Sequence, residues 1–132
     1  RWRNPAWLLD QLRARALALP ETCEQESFGS AGFRVGEGKS GKYFAYFSDR
    51  PHGHERIALL VKTSGVDELH ALVEDQPETY FKPAFYGASG WVGIVLDRPD
   101  LDWGDVEAWL HRSWRAVAPK RLTRLMDVAE EF

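Results

Sequence analysis

Apolar residues open the chain at helical spacing. Leu8, Leu9, Leu12, Ala16 and Leu19 recur on one side, while Arg13 and Arg15 fall on the other. Asn4 before Pro5 supplies a side-chain cap and a first helical residue with φ already set, and Pro20 ends the run. The rhythm then changes to strand-like runs at 24–28, 33–35, 42–48 and 56–63, with Gly29, Gly32, Gly36, Gly38 and Gly41 supplying turns. The polar segment 49–55, DRPHGHE, reads as a hairpin loop.

Helical spacing returns at Val66, Leu69, Leu72 and Val73, with Ser64 as the expected cap, Asp67 as its capping-box partner and Pro77 as the stop. An aromatic loop carrying Tyr80, Phe81, Phe85 and Tyr86 follows, and then a strand over 91–96. Asp102 is the next expected cap, ahead of a stripe of Val106, Leu110, Trp114 and Val117 flanked by Trp103 and Trp109. Pro119 breaks that helix and starts a last one through Leu122, Leu125, Met126 and Ala129. Short turns between neighbouring strands favour antiparallel pairing. The expected fold is therefore a single α+β domain over residues 1–132. It has two layers: a mainly antiparallel sheet of about five strands, with helices on one face.

Two strands are apolar on both faces. Ile57, Leu59 and Val61 alternate with Ala58, Leu60 and Lys62, and Val92, Ile94 and Leu96 alternate with Trp91, Gly93 and Val95. A sheet wetted on one side shows a polar face there. The second face must then be covered by the aromatic loop, another subunit or a ligand.

Composition narrows the function classes. The formal charge of −3 opposes a general affinity for phosphate backbones and leaves room only for a local basic patch. Six tryptophans, four tyrosines and seven phenylalanines are a heavy aromatic load, which buries much area and also favours binding surfaces. Cys23 is the lone cysteine, so neither an intrachain disulfide nor a thiolate metal cage forms, and a reducing cytoplasm is the expected compartment. Glu21, Glu24 and Glu26 around it disfavour a thiolate nucleophile. Apolar runs such as IALLV are too short to cross a bilayer, so no membrane partner is expected.

The motifs that suggest chemistry weaken on inspection. GEGKSGK at 36–42 fits seven positions of a phosphate-cradling loop, but Tyr43 replaces the magnesium-binding hydroxyl and a strand follows where a helix is needed. His52, His54 and Glu55 lack further ligands, so no metal and no cofactor are expected. His70 and His111 read as surface residues without partners at helical spacing. No nucleophile–base pair stands out, so the chain reads as non-enzymatic. Lys120, Arg121 and Arg124 crowd the start of the last helix, where acidic residues are preferred, and nominate an anion site. Lys62 at a strand end, beside Trp91 if the two share a face, would suit a nucleobase.

The ordered segments resemble the MmcQ/YjbR family. The pieces are LPET at 19–22, SFGSAGFRVG at 27–36, KYFAYF at 42–47, IALLVKT at 57–63, YFKPAFYGASGWVGIVLD at 80–97, the Asp102-Trp103 pair and SWRAVAPKR at 113–121. The resemblance implies a compact α+β domain like secretion-chaperone folds, in a double-wing arrangement, with DNA as partner. The expected contacts are Arg34, Lys39, Lys42, Lys62, Lys120 and Arg121 to phosphates, with Tyr86 and Trp91 stacking on bases. The alternative is a module that binds a protein, a second copy or a small molecule through the apolar sheet face and the aromatic loop.

Overall fold

The computed structural model describes residues 1–36, 41–49 and 56–131. Helix α1 (Pro5–Ala16) starts as expected, with the Asn4 side chain accepting the Trp7 amide at 3.1 Å. Four strands follow: β1 (Thr22–Ser27), β2 (Ser30–Val35), β3 (Lys42–Asp49) and β4 (Ile57–Val61). Then come α2 (Val66–Asp75), β5 (Tyr80–Phe81), a 3-10 turn at Gly87–Ser89, β6 (Val92–Val95), α3 (Trp103–Val117) and α4 (Lys120–Glu130). The sheet runs β1-β2-β3-β4-β6-β5, with every pair antiparallel.

The sheet has six strands, one more than expected. The extra strand is the short β5 inside the aromatic loop, pairing Tyr80 with Ile94 and Phe81 with Gly93. Gly93 makes this possible, since a Cβ there would collide with the Phe81 ring that lies across it. The cap of α2 also differs. Gly65 stands at the N-cap, and Glu68, not Asp67, accepts the Ser64 amide at 2.7 Å, because the helix begins one residue later than a Ser64 cap requires.

The helix-facing side of the sheet is the core. Phe33, Val35, Phe47, Ile57, Leu59, Val61, Val92, Ile94 and Leu96 pack on Leu8, Leu12 and Ala16 of α1 and on Val106, Leu110 and Trp114 of α3. Trp114 is fully buried, and its indole N–H donates to the Pro20 carbonyl at 3.1 Å, which satisfies its one polar atom. β4 and β6 are buried along their whole length, as their two-sided apolar pattern predicts.

β3 carries a bulge. Phe33 pairs with Ala45 and Arg34 with Tyr43, so Phe44 is an extra residue, and both Phe44 and Ala45 point into the core. The β3–β4 register extended by one residue sets Phe44 opposite Lys62. The buried Ser113 hydroxyl of α3 fills that gap. It donates to the Phe44 carbonyl at 2.5 Å and accepts the Lys62 amide at 3.0 Å.

Candidate functional site

The sheet face away from the core is where the sequence left a question. Tyr46 lies opposite Leu60 on β4 and Gly32 on β2, so those residues share this face. Four rings gather on it. Tyr43 stacks on Tyr46 with centroids 5.1 Å apart and planes 19° apart, and Tyr46 meets Tyr86 at 5.1 Å and Trp91 at 5.5 Å. Tyr86 and Trp91 touch each other at 5.7 Å. The aromatic loop is therefore the cover that the second face needs over its middle strands. Thr63 fastens the loop's far end: its hydroxyl donates to the Gly90 carbonyl at 2.5 Å and accepts the Gly65 amide at 3.1 Å.

The cover is incomplete. Between the β1–β2 hairpin and the loop lies a cleft of about 640 Å³, with Tyr46, Ser48 and Leu60 among its lining residues. Phe28, Ser27 and Ser30 line it from the hairpin, Pro83, Ala84, Phe85 and Tyr86 from the loop, and Asp49 from the end of β3. That volume falls within the usual span for small-molecule sites.

Two phenylalanines project at its margins. Phe28 is 99% exposed and Phe85 79% exposed. Both have left-handed backbones, with φ of 50° and 69°. Phe28 and Gly29 form the two-residue turn between the paired Ser27 and Ser30, and their φ values of 50° and 79° fit a type I′ turn. Asparagine or glycine is the usual choice at the first of those positions. A phenylalanine there gains little by folding: its ring is in water and its backbone is in a disfavoured region.

Tyr46, on the cleft lining, has a displaced titration. Burial, followed by the neighbouring Tyr86 phenol, pushes its pKa up to about 12, so it stays a neutral hydroxyl over the ordinary pH range.

The nominated phosphate contacts divide into two sets. Arg34 and Lys62 belong to the open face by strand alternation, with Tyr86 and Trp91. Arg34 donates to the Gln25 side chain at 2.7 Å and lies over the Tyr43 ring, 5.6 Å from its centroid. Lys42, Lys120 and Arg121 line a separate hollow, with Glu21, at the foot of α4. There Glu21 takes the Arg121 guanidinium through two bonds of 2.7 Å, and that guanidinium holds the Glu21 carboxyl below its ordinary range. Lys39 and the histidine-rich 49–55 loop, apart from Asp49, lie outside the described residues, as do most residues of the GEGKSGK motif.

His70 is exposed on α2. His111, expected to lie free on the surface, is half-buried and accepts from Arg115 Nε at 3.2 Å, because α4 folds back and brings Glu130 within 3.6 Å. Among the described residues no three His, Cys, Asp or Glu side chains gather as metal ligands. No helix among the described residues is long and apolar enough to cross a membrane.

Sequence reasoning nominated Tyr86 and Trp91 but not Tyr43, Tyr46 or Phe28. Strict alternation sets Tyr43 and Tyr46, three residues apart, on opposite faces, and only the Phe44 bulge brings them to one. The local signal for Phe28 is the Phe28-Gly29 pair between two strand-like runs, where a turn places its first residue at a tip.

The comparisons with known proteins agree with this architecture. The crystal structure of Deinococcus radiodurans protein DR2400, which carries a DUF419 domain, superposes with a TM-score of 0.66 at 20% sequence identity. The match covers 85% of this chain and 79% of that one, and at this identity it speaks for the fold. No curated protein is similar enough to match the chain. The YjbR family model matches residues 17–116, which hold all six strands and most of α3. The chain belongs to the YjbR family.

Proposed function

We propose that this chain is a non-enzymatic binding domain whose ligand enters the open-face cleft between Phe28 and Phe85. The observation that carries this reading is the pair of solvent-exposed phenylalanines, both at left-handed backbone positions and both lining one cleft. An occupant that covers the exposed Phe28 and Phe85 rings would bury apolar surface that now faces water. The neutral dye Nile red tests the reading. Its emission should rise and shift to the blue with the native chain and fall back with the Phe28→Ser/Phe85→Ser double variant. Equal emission with both proteins removes the cleft as a binding site.

DNA binding is the second reading, favoured by a different observation. Arg34 and Lys62 share a face with Tyr43, Tyr46, Tyr86 and Trp91, which puts cations beside aromatic rings. Against it, the rings stack on one another, and Lys42, Lys120 and Arg121 gather in another hollow. This reading expects a mobility shift at low salt that weakens steeply as salt is added and is lost in Arg34→Ala/Lys62→Ala. A shift insensitive to salt, or none, removes it.

A further inference from the structure

We infer that the outer side of α4 pairs antiparallel with α4 of a second copy of this chain. The inner side is engaged by the fold: Leu122 is buried, Met126 packs on the core, and Asp127 and Glu130 bond Arg115 of α3. Arg124, Leu125, Val128 and Glu131 stand one or two helical turns apart on the outer side, and the helical backbone of Glu131 carries that spacing to the end. Leu125 is 65% exposed and Val128 52%. One such residue on a surface needs no explanation, but two on adjacent turns make an apolar patch between charged ends.

The charges select the occupant. Arg124 before the patch and Glu131 after it are exposed, and among the described residues neither makes an ion pair. Lys120 and Arg121 add to the basic start, while no acidic residue stands in the first turn and no basic one in the last, so the charge runs against the helix macrodipole. A helix with one basic and one acidic end is complementary to its own reverse. A two-fold axis beside Val128 sets Arg124 of each copy opposite Glu131 of the other and brings Leu125 and Val128 of both copies together between the two ion pairs. The two macrodipoles then also run in opposite directions. A partner of one charge sign, or a parallel second copy, would meet like charge at an end of the patch. The contact is short, since 11 residues span about 16 Å, so the pairing is weak and grows with chain concentration.

Sedimentation equilibrium of the full chain tests the pairing at low salt and at concentrations up to about 1 mM. The native chain should show a monomer–dimer equilibrium that added salt weakens. Leu125→Ser/Val128→Ser should abolish it, with an unchanged thermal midpoint to check that these exposed positions leave the fold intact. Arg124→Glu and Glu131→Arg should each weaken self-association by about three- to tenfold, because each homodimer then holds like charges at both ends of the patch. An equimolar mixture of the two variants restores opposite charges at both ends and should dimerise more tightly than either variant alone. A native chain that stays monomeric at about 1 mM overturns the inference. A dimer indifferent to Leu125→Ser/Val128→Ser uses another surface and overturns it as well. A mixture no tighter than its separate components overturns the antiparallel arrangement. None of these residues lines the cleft, so each of those results leaves the proposed function standing.

Discussion

The Ser113 hydroxyl donates to the Phe44 carbonyl at 2.5 Å, joining α3 to the bulge in β3 across 69 residues of sequence. The same oxygen accepts the Lys62 amide at 3.0 Å, so one side chain satisfies two backbone groups that the bulge separates. Ser113 is fully buried, so its removal takes away a partner from both groups inside the fold. Ser113→Ala should lower stability by about 1–3 kcal/mol, the cost of buried groups left without partners. Urea denaturation measures it, and an unchanged midpoint refutes the bridging role.

Phe28→Asn should stabilise the fold. Asparagine tolerates the φ of 50° and, before Gly29, completes the preferred residue pair of a type I′ hairpin. The gain should be about 0.5–1 kcal/mol, as for other substitutions that suit a turn's backbone. The same change should weaken ligand capture in the cleft. Thermal unfolding and dye binding on one sample would show the two effects in opposite directions; a loss of stability would contradict the turn assignment.

Glu68 ties α2 to α3. Its carboxylate receives Arg112 through bonds of 2.8 and 2.5 Å and also the Ser64 amide, and these bonds, Arg112 foremost, hold its pKa down to about 2. A carboxylate depressed in the folded state stabilises above its ordinary pKa of 4.5, and that contribution fades as pH falls from 4.5 toward 2. Glu68→Gln should therefore cost up to about 1 kcal/mol at neutral pH, limited by the exposure of the pair, and progressively less below about pH 4. Denaturation midpoints of both proteins across that range would decide it, since a constant difference rules out the ion pair.

Tyr46 gives the opposite sign at high pH. Its folded-state pKa, near 12, exceeds the ordinary 10.0, so the neutral phenol's contribution is complete below pH 10 and is lost as pH rises through 12. Spectroscopic titration should show a tyrosine ionisation near 12 that belongs to Tyr46. Tyr46→Phe should abolish that late step. A spectrum in which Tyr46→Phe removes no ionisation step near 12 would deny its burial against Tyr86.

The layered architecture was legible because its signals are local and strong. The Asn4-Pro5 start, the Asp102 cap and the two-sided apolar strands at 57–61 and 92–95 follow from spacing and cap chemistry alone. β5 was not legible, since two residues leave no periodicity and its pairing depends on the bare backbone of Gly93 a dozen residues away. The cleft was half legible. Its loop wall stood out as an aromatic cluster, but its hairpin wall rests on one phenylalanine whose exposure depends on turn geometry. The division of the cations between two surfaces also escaped notice, because Lys42 follows Arg34 by eight residues yet pairs with Val35, whose side chain faces the core.

Among the described residues β1 pairs in the sheet with β2 alone, so the hairpin bearing Phe28 is an edge ribbon, tied to α1 at its base through Glu24 and Arg13. The Phe85 side is anchored by contrast, through the Thr63 clasp at Gly90 and the rings of Tyr86 and Trp91. Two-stranded ribbons twist more readily than the middle of a sheet. The two sides are thus unequally held, and under the proposed function a ligand entering the gap would displace the hairpin tip more easily than the loop.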